Sequence, residues 1–212
     1  MYVKDENEGR RTQEERRAAT RRALLGAARE LFAEGGYHST AAGEVVRRAG
    51  LTRGAMYHHF EDKRDLFRAV VEEVEAEVDE IVLSEARRVL EETSSPWEAF
   101  RAGYRVSLDV CLRPDVRWIL LVDGPAVLGW EEWHEIDAAH AVRQIQAGLE
   151  STMESGMMER GPTRPLAHLL HGAVLEAALY VAVSEDPASA RDEVWGGLER
   201  LLEGLLGRRE TE

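Results

Sequence analysis

The sequence predicts an all-α chain of about nine helices, and three observations carry that expectation. Apolar residues recur at helical spacing through most of the 212 residues, and no useful stretch alternates with a period of two. Prolines, glycines and capping residues punctuate these stretches where helices would start and stop. Residues 40 to 67 have the spacing of two short helices around a glycine turn, followed by the start of a long one. No internal repeat is visible.

Residues 1 to 11 are polar, charged and aperiodic, and a mobile tail is expected there. Thr12 and Glu15 have capping-box spacing. Leu24, Ala27, Ala28, Leu31 and Phe32 then follow the i, i+3, i+4, i+7, i+8 pattern of an amphipathic helix that stops at Gly35-Gly36. Gly50 accepts the tight backbone needed between two short helices. Val45, Val46, Ala49 and Leu51 give the apolar wedge between them, and Thr52 caps the second. This is helix-turn-helix geometry, whose second helix docks in the DNA major groove. Asp62 caps a long fourth helix with the stripe Leu66, Val70, Val74, Val78 and Ile81, long enough to join a head to a body.

Ser95-Pro96-Trp97-Glu98 is a helix start with a cap, a proline at the first position and a glutamate at the third. Pro114 and Pro125 mark two further starts. A longer helix is expected from about residue 130 to 156, with Ala138, Ala141, Ile145 and Leu149 on one face. The last two run from Pro165 to Val183 and from Pro187 to Leu206. The first of these is apolar nearly all round. Leu166, Leu169, Leu170, Ala173, Val174, Ala177 and Val181 make one face, and Leu175, Ala178, Leu179 and Ala182 widen it, so both sides should be covered. Glu176, His168 and His171 inside it argue for a buried helix and no membrane span. The final helix has a single stripe of Val194, Leu198, Leu201, Leu202 and Leu205.

The expected organisation is a tail over 1–11, a helix-turn-helix head over 12–61 and a helical body over 62–212. The formal charge of −13 is polarised along the chain. Residues 1–68 hold 14 basic and 11 acidic side chains, a net of +3, against −16 for the remainder. One end should approach phosphates while the other is repelled. A single cysteine, Cys111, rules out an intrachain disulfide and suits a reducing cytoplasm. The N-terminus lacks the pattern of a secretory signal.

The head also resembles the TetR family of bacterial transcriptional regulators. The resemblance rests on Gly36-Tyr37, Thr40, Ala49-Gly50-Leu51-Thr52-Arg53-Gly54, Tyr57-His58-His59-Phe60, Lys63 and Leu66-Phe67, and is specific over roughly residues 14 to 72. Ala41-Ala42-Gly43 departs from the family pattern and puts a weak helix former in the first turn. The resemblance implies a homodimer on a roughly palindromic double-stranded DNA operator, with the last two helices of each subunit packed as a four-helix interface. The residues proposed for that interface are Leu169, Ala173, Ala177, Val194, Leu198, Leu201, Leu202 and Leu205. It further implies that Thr40, Thr52, Tyr57, His59 and Lys63 hold phosphates. Position alone assigns Arg53, Gly54, Ala55 and His58 to base edges, with Arg53 suited to guanine.

In the body, Tyr104, Trp118, Trp130, His134, His171 and Glu176 are the candidate contacts of a small aromatic or amphipathic effector. The expected function is a repressor released from its operator by that effector. The alternative is a DNA-binding regulator whose body binds a protein or no ligand. No Gly-rich phosphate loop, nucleophile elbow or cysteine cluster supports an enzyme, and no cofactor is expected. His134, Asp137 and His140 invite a metal reading, as do His168 and His171, but His134 and His140 are six apart and point away from one another around a helix, so no metal site is expected.

Overall fold

A computed structural model describes residues 12–206, and the tail expected over 1–11 lies outside the described residues. Helix α1 (Gln13–Ser39) opens on a complete capping box. Thr12 Oγ1 accepts from the Glu15 N–H at 3.2 Å, and Glu15 Oε2 accepts from the Thr12 N–H at 2.8 Å. Gly36, at φ 76°, breaks the helix where the glycine pair was expected to end it. Helices α2 (Ala42–Arg48) and α3 (Arg53–Tyr57) flank Gly50, whose φ of 67° makes the turn. Helix α4 (Lys63–Thr93) starts at Asp62, which accepts from the Asp65 N–H at 2.8 Å. Helix α5 (Pro96–Val110) starts at Ser95, which accepts from the Glu98 N–H.

The two starts expected at Pro114 and Pro125 form one helical run. A π-helical segment, Val116–Asp123, leads directly into α6 (Gly124–Leu128). Inside an α-helix Pro125 would lack the N–H for the carbonyl four residues back, and its ring would crowd that carbonyl. Pro125 instead stands in the first turn of α6, just past the π-helical segment, where a missing N–H costs least. Helices α7 (Trp130–Glu154), α8 (Thr163–Val183) and α9 (Pro187–Glu203) complete the chain, the last capped by Asp186. Among the described residues there are nine α-helices and no strand.

Two apolar cores result. The first gathers α1, α2, α3, the first half of α4 and the π-helical segment, with Trp133 and residues of α8. Head and body therefore share packed side chains. The second core joins α5, α7, α8 and α9.

The second core corrects one expectation. Leu198 and Leu202 are buried within the subunit, as is Ala177, so these three are not open to a partner. Val194 and Leu205 pack against the same core, and Ala173 is half-buried beside it. Periodicity identifies an apolar face but not what covers it. Leu169 (72% exposed) and Leu201 (63% exposed) are the members of that set left in the open. On α8 the exposed row continues through Gly172, Glu176, Tyr180 and Val183. Helix α8 is apolar and long enough to cross a membrane, but it packs on α7, α9 and α5.

Candidate nucleic-acid interface and body cavity

Helix α3 is anchored by Met56 and by Phe60 just beyond it, both buried in the first core. Thr52 Oγ1 accepts from the Ala55 N–H at 3.3 Å and fixes the helix start. Arg53, Gly54, Tyr57 and His58 are exposed on its outer side, with Ala55 and His59 half-buried between them. Burial, with smaller contributions from Arg17, His58 and Arg21, lowers the pKa of His59. That direction favours the uncharged imidazole, which donates a hydrogen bond without bringing a charge.

Two residues expected to hold phosphates have other bonds. Thr40 is buried, and its hydroxyl contacts the carbonyl oxygens of Gly36 at 2.9 Å and Leu31 at 3.2 Å. Its single proton is thus engaged inside the head and is withdrawn from phosphate. Lys63 Nζ donates to the carbonyl oxygens of Tyr37 (2.8 Å) and Thr40 (3.0 Å) and lies 3.8 Å from the centre of the Tyr37 ring. Its ammonium closes the end of α1, and burial lowers its pKa against the opposing pull of Asp123.

The head is tied to the body at several points. The Tyr37 N–H donates to Asp123 Oδ2 at 2.6 Å. Arg29 reaches Asp115 and Glu77, and Arg113 pairs with the same two carboxylates. Burial alone would raise the Asp115 carboxyl, but hydrogen bonds from Arg113 and Arg29 outweigh it and hold the pKa at about 2. Arg64 donates to the carbonyls of Val127 and Leu128 and pairs with Glu132.

Beyond this junction the body holds a cavity of about 490 Å³ between α4, α5, the π-helical segment, α7 and α8. Its wall is mostly apolar, with Val78, Val82, Phe100, Leu120, Trp133 and Ile145 among the contributors. The polar exceptions include Glu75, Asp79, Tyr104, Asp137 and His171. Burial first, then Asp137 and Asp79, push the Glu75 carboxyl well above the ordinary range. The Tyr104 hydroxyl is buried without a hydrogen-bond partner among the described residues, and burial raises its pKa. Cys111 also faces the cavity, and burial pushes its thiol up to about 12.

Of the six expected effector contacts, Tyr104 and His171 line this cavity. Trp118, Trp130 and Glu176 do not, and all three are exposed on the outside of the body. Glu176 faces outward because α8 turns Leu175, Ala177 and Ala178 inward. His134 sits just behind the wall, stacked between Trp130 (5.3 Å between ring centres) and His171 (5.6 Å). Glu75 and Asp79 escaped the sequence reading because α4 is rich in charge throughout. The available signal was their place beside Val78 and Val82 on one helical face.

The expectation that no metal site exists treats His134, Asp137 and His140 on one helix and His168 with His171 on another as separate groups. The side chain of His140 lies outside the described residues. His134 and Asp137 instead meet His171 of α8, and one donor atom from each lies within 4.8 Å of the others.

The family description "Bacterial regulatory proteins, tetR family" matches residues 24–70, and "Tetracyclin repressor-like, C-terminal domain" matches residues 97–205. A TetR-family transcriptional regulator (ECA1819) from Pectobacterium atrosepticum superposes with a TM-score of 0.81 at 35% identity, covering 93% of this chain and 99% of that one. The HTH-type transcriptional repressor AcnR of Corynebacterium glutamicum is 28% identical over 197 residues, 90% of this chain and 94% of the relative. The Transposon Tn10 TetC protein of Escherichia coli is 23% identical over 173 residues, 82% and 85% of the two chains.

Proposed function

The chain belongs to the TetR family of transcriptional regulators, and from that premise we propose that it is a homodimeric repressor released from a palindromic operator by a small molecule held in the body. Membership of this family of transcriptional regulators makes it a DNA-binding regulator and not an enzyme. Arg53, Gly54, Ala55 and His58 read base edges, while Thr52, Tyr57 and His59 meet phosphates. We divide the chain into a head over 12–61 and a body over 62–212, with α4 belonging to both functions. The exposed row on α8 and Leu201 on α9 form the dimer seam, since a two-fold interface covers the same apolar patch on each subunit.

The cavity is the observation that carries the effector-responsive reading. Its volume lies within the usual range for small-molecule sites, and its apolar wall with a few polar groups suits an aromatic or amphipathic ligand. Its lining carries acidic side chains (Glu75, Asp79, Asp137) and basic ones (Arg87, Arg143), so it offers partners to polar groups of either sign. Glu75 and Val82 of its wall stand on the helix whose start, Lys63, closes the DNA head.

The test has two steps. Amphipathic aromatic compounds are screened for raised thermal midpoint, because a ligand that binds the folded state stabilises it. The hits are then measured for operator affinity by fluorescence anisotropy on the inverted repeat upstream of the gene. A compound that stabilises the protein should weaken operator binding at least several-fold. Stabilising compounds that all leave operator affinity unchanged would overturn the effector reading and favour a body that answers to a protein.

A further inference from the structure

We propose that His134, Asp137 and His171 bind one divalent transition-metal ion of the zinc type per chain, with an open coordination position facing the cavity. Asp137 stands one helical turn beyond His134 on α7, so their side chains share a face. His171 comes across from α8. Asp137 Oδ2 lies 2.9 Å from His171 Nε2 and 3.9 Å from His134 Nδ1. These separations bracket the roughly 3.4 Å edge of a tetrahedral site with bonds of about 2.1 Å.

The bonding state of the three atoms is the second observation. His134 Nδ1, Asp137 Oδ2 and His171 Nε2 are each buried without a hydrogen-bond partner among the described residues. Asp137 Oδ2 and His171 Nε2 meet at 2.9 Å as an ion-pair contact alone. The His171 side chain is only 4% exposed. Buried imidazole and carboxylate groups are rarely left without partners, because desolvation then goes uncompensated. A cation at their centre satisfies all three at once. Two imidazoles and one carboxylate select zinc, cobalt, nickel or copper over magnesium or calcium. Asp137 and His171 both line the cavity, so the fourth ligand would be water or a donor atom of a bound molecule. Failure of this site would leave the operator and effector assignments untouched.

The experiment uses the full chain after treatment with a chelator. Zn²⁺ is titrated by calorimetry, and Co²⁺ by its visible absorption, which reports coordination number. One ion per chain with a four- or five-coordinate cobalt spectrum is expected. His134 is half-exposed, so His134→Asn should fold and lose at least tenfold in affinity, as should Asp137→Asn. His38 is exposed and far along the chain from the three ligands, so His38→Ala should bind Zn²⁺ as the parent does. Shifts of the His134 and His171 ring nitrogens on adding Zn²⁺, followed by NMR in the unaltered protein, check the assignment without any substitution at the site. Absence of a stoichiometric site in the parent, unshifted ring nitrogens, or full affinity in folded His134→Asn would each overturn the proposal.

Discussion

Asp123 accepts a hydrogen bond from the backbone N–H of Tyr37 at 2.6 Å, joining the last residue of the π-helical segment to the end of α1. The bond exists because Gly36 carries a φ of 76° and turns the next N–H toward the body. A Cβ on Gly36 would stand 3.2 Å from the same carboxylate oxygen. Conformation and close approach thus both call for glycine.

Gly36→Ala should destabilise the fold by about 1–3 kcal/mol, the usual range for a backbone held in a sparsely populated region. Asp123→Ala should lose about 1–3 kcal/mol by leaving the Tyr37 N–H without its acceptor. Urea unfolding measures both. Parent-like midpoints would remove this tie from the account of the junction.

Arg53→Ala should relax preference at one base pair of each half-site, at about 1–3 kcal/mol. Competition with single-base operator variants reads this directly, and uniform weakening across all variants would refute the assignment. Lys63→Met belongs in another class. It should lower stability by about 1–3 kcal/mol through two lost charged hydrogen bonds, with operator loss following the damage to the head.

Asp115 sets an acid limit on the junction. Its carboxyl is held at about 2, below its ordinary 3.8, so its contribution is complete above pH 4 and is lost as pH falls through 2. The urea midpoint should drop across that window, and Asp115→Asn should flatten the drop while lowering stability near neutrality. An unchanged slope in the variant would shift the acid sensitivity to other carboxylates.

The seam can be separated from the core by two charged substitutions. Leu201→Glu should give a folded monomer with poor operator affinity, while Leu198→Glu should unfold because it buries an unpaired charge. Sedimentation and circular dichroism distinguish these outcomes. A Leu201→Glu protein that is still dimeric would move the seam elsewhere.

Local chemistry made most of the fold legible. Thr12, Thr52, Asp62 and Ser95 each cap the helix expected of them, and Gly50 makes the expected turn. Such devices act within four residues, so sequence order is enough to find them. What could not be read depends on distant partners. Lys63 stands at a family phosphate position, but its partners, the Tyr37 and Thr40 carbonyls, lie 26 and 23 residues away in the chain. His171 met His134 and Asp137 only because α8 crosses α7. The face of α9 was visible, but the identity of its cover was not.

The length of α4 has a mechanical meaning. Glu75 in the cavity wall and Lys63 at the head are twelve residues apart on one continuous helix, a separation of about 18 Å at 1.5 Å per residue. A tilt of about 5° pivoting at Glu75 carries the head end by about 1.6 Å over that arm. Base-edge hydrogen bonds span only about 2.7–3.2 Å between heavy atoms and do not survive such a shift. A few degrees of rotation are enough to take a reading helix out of register with its groove.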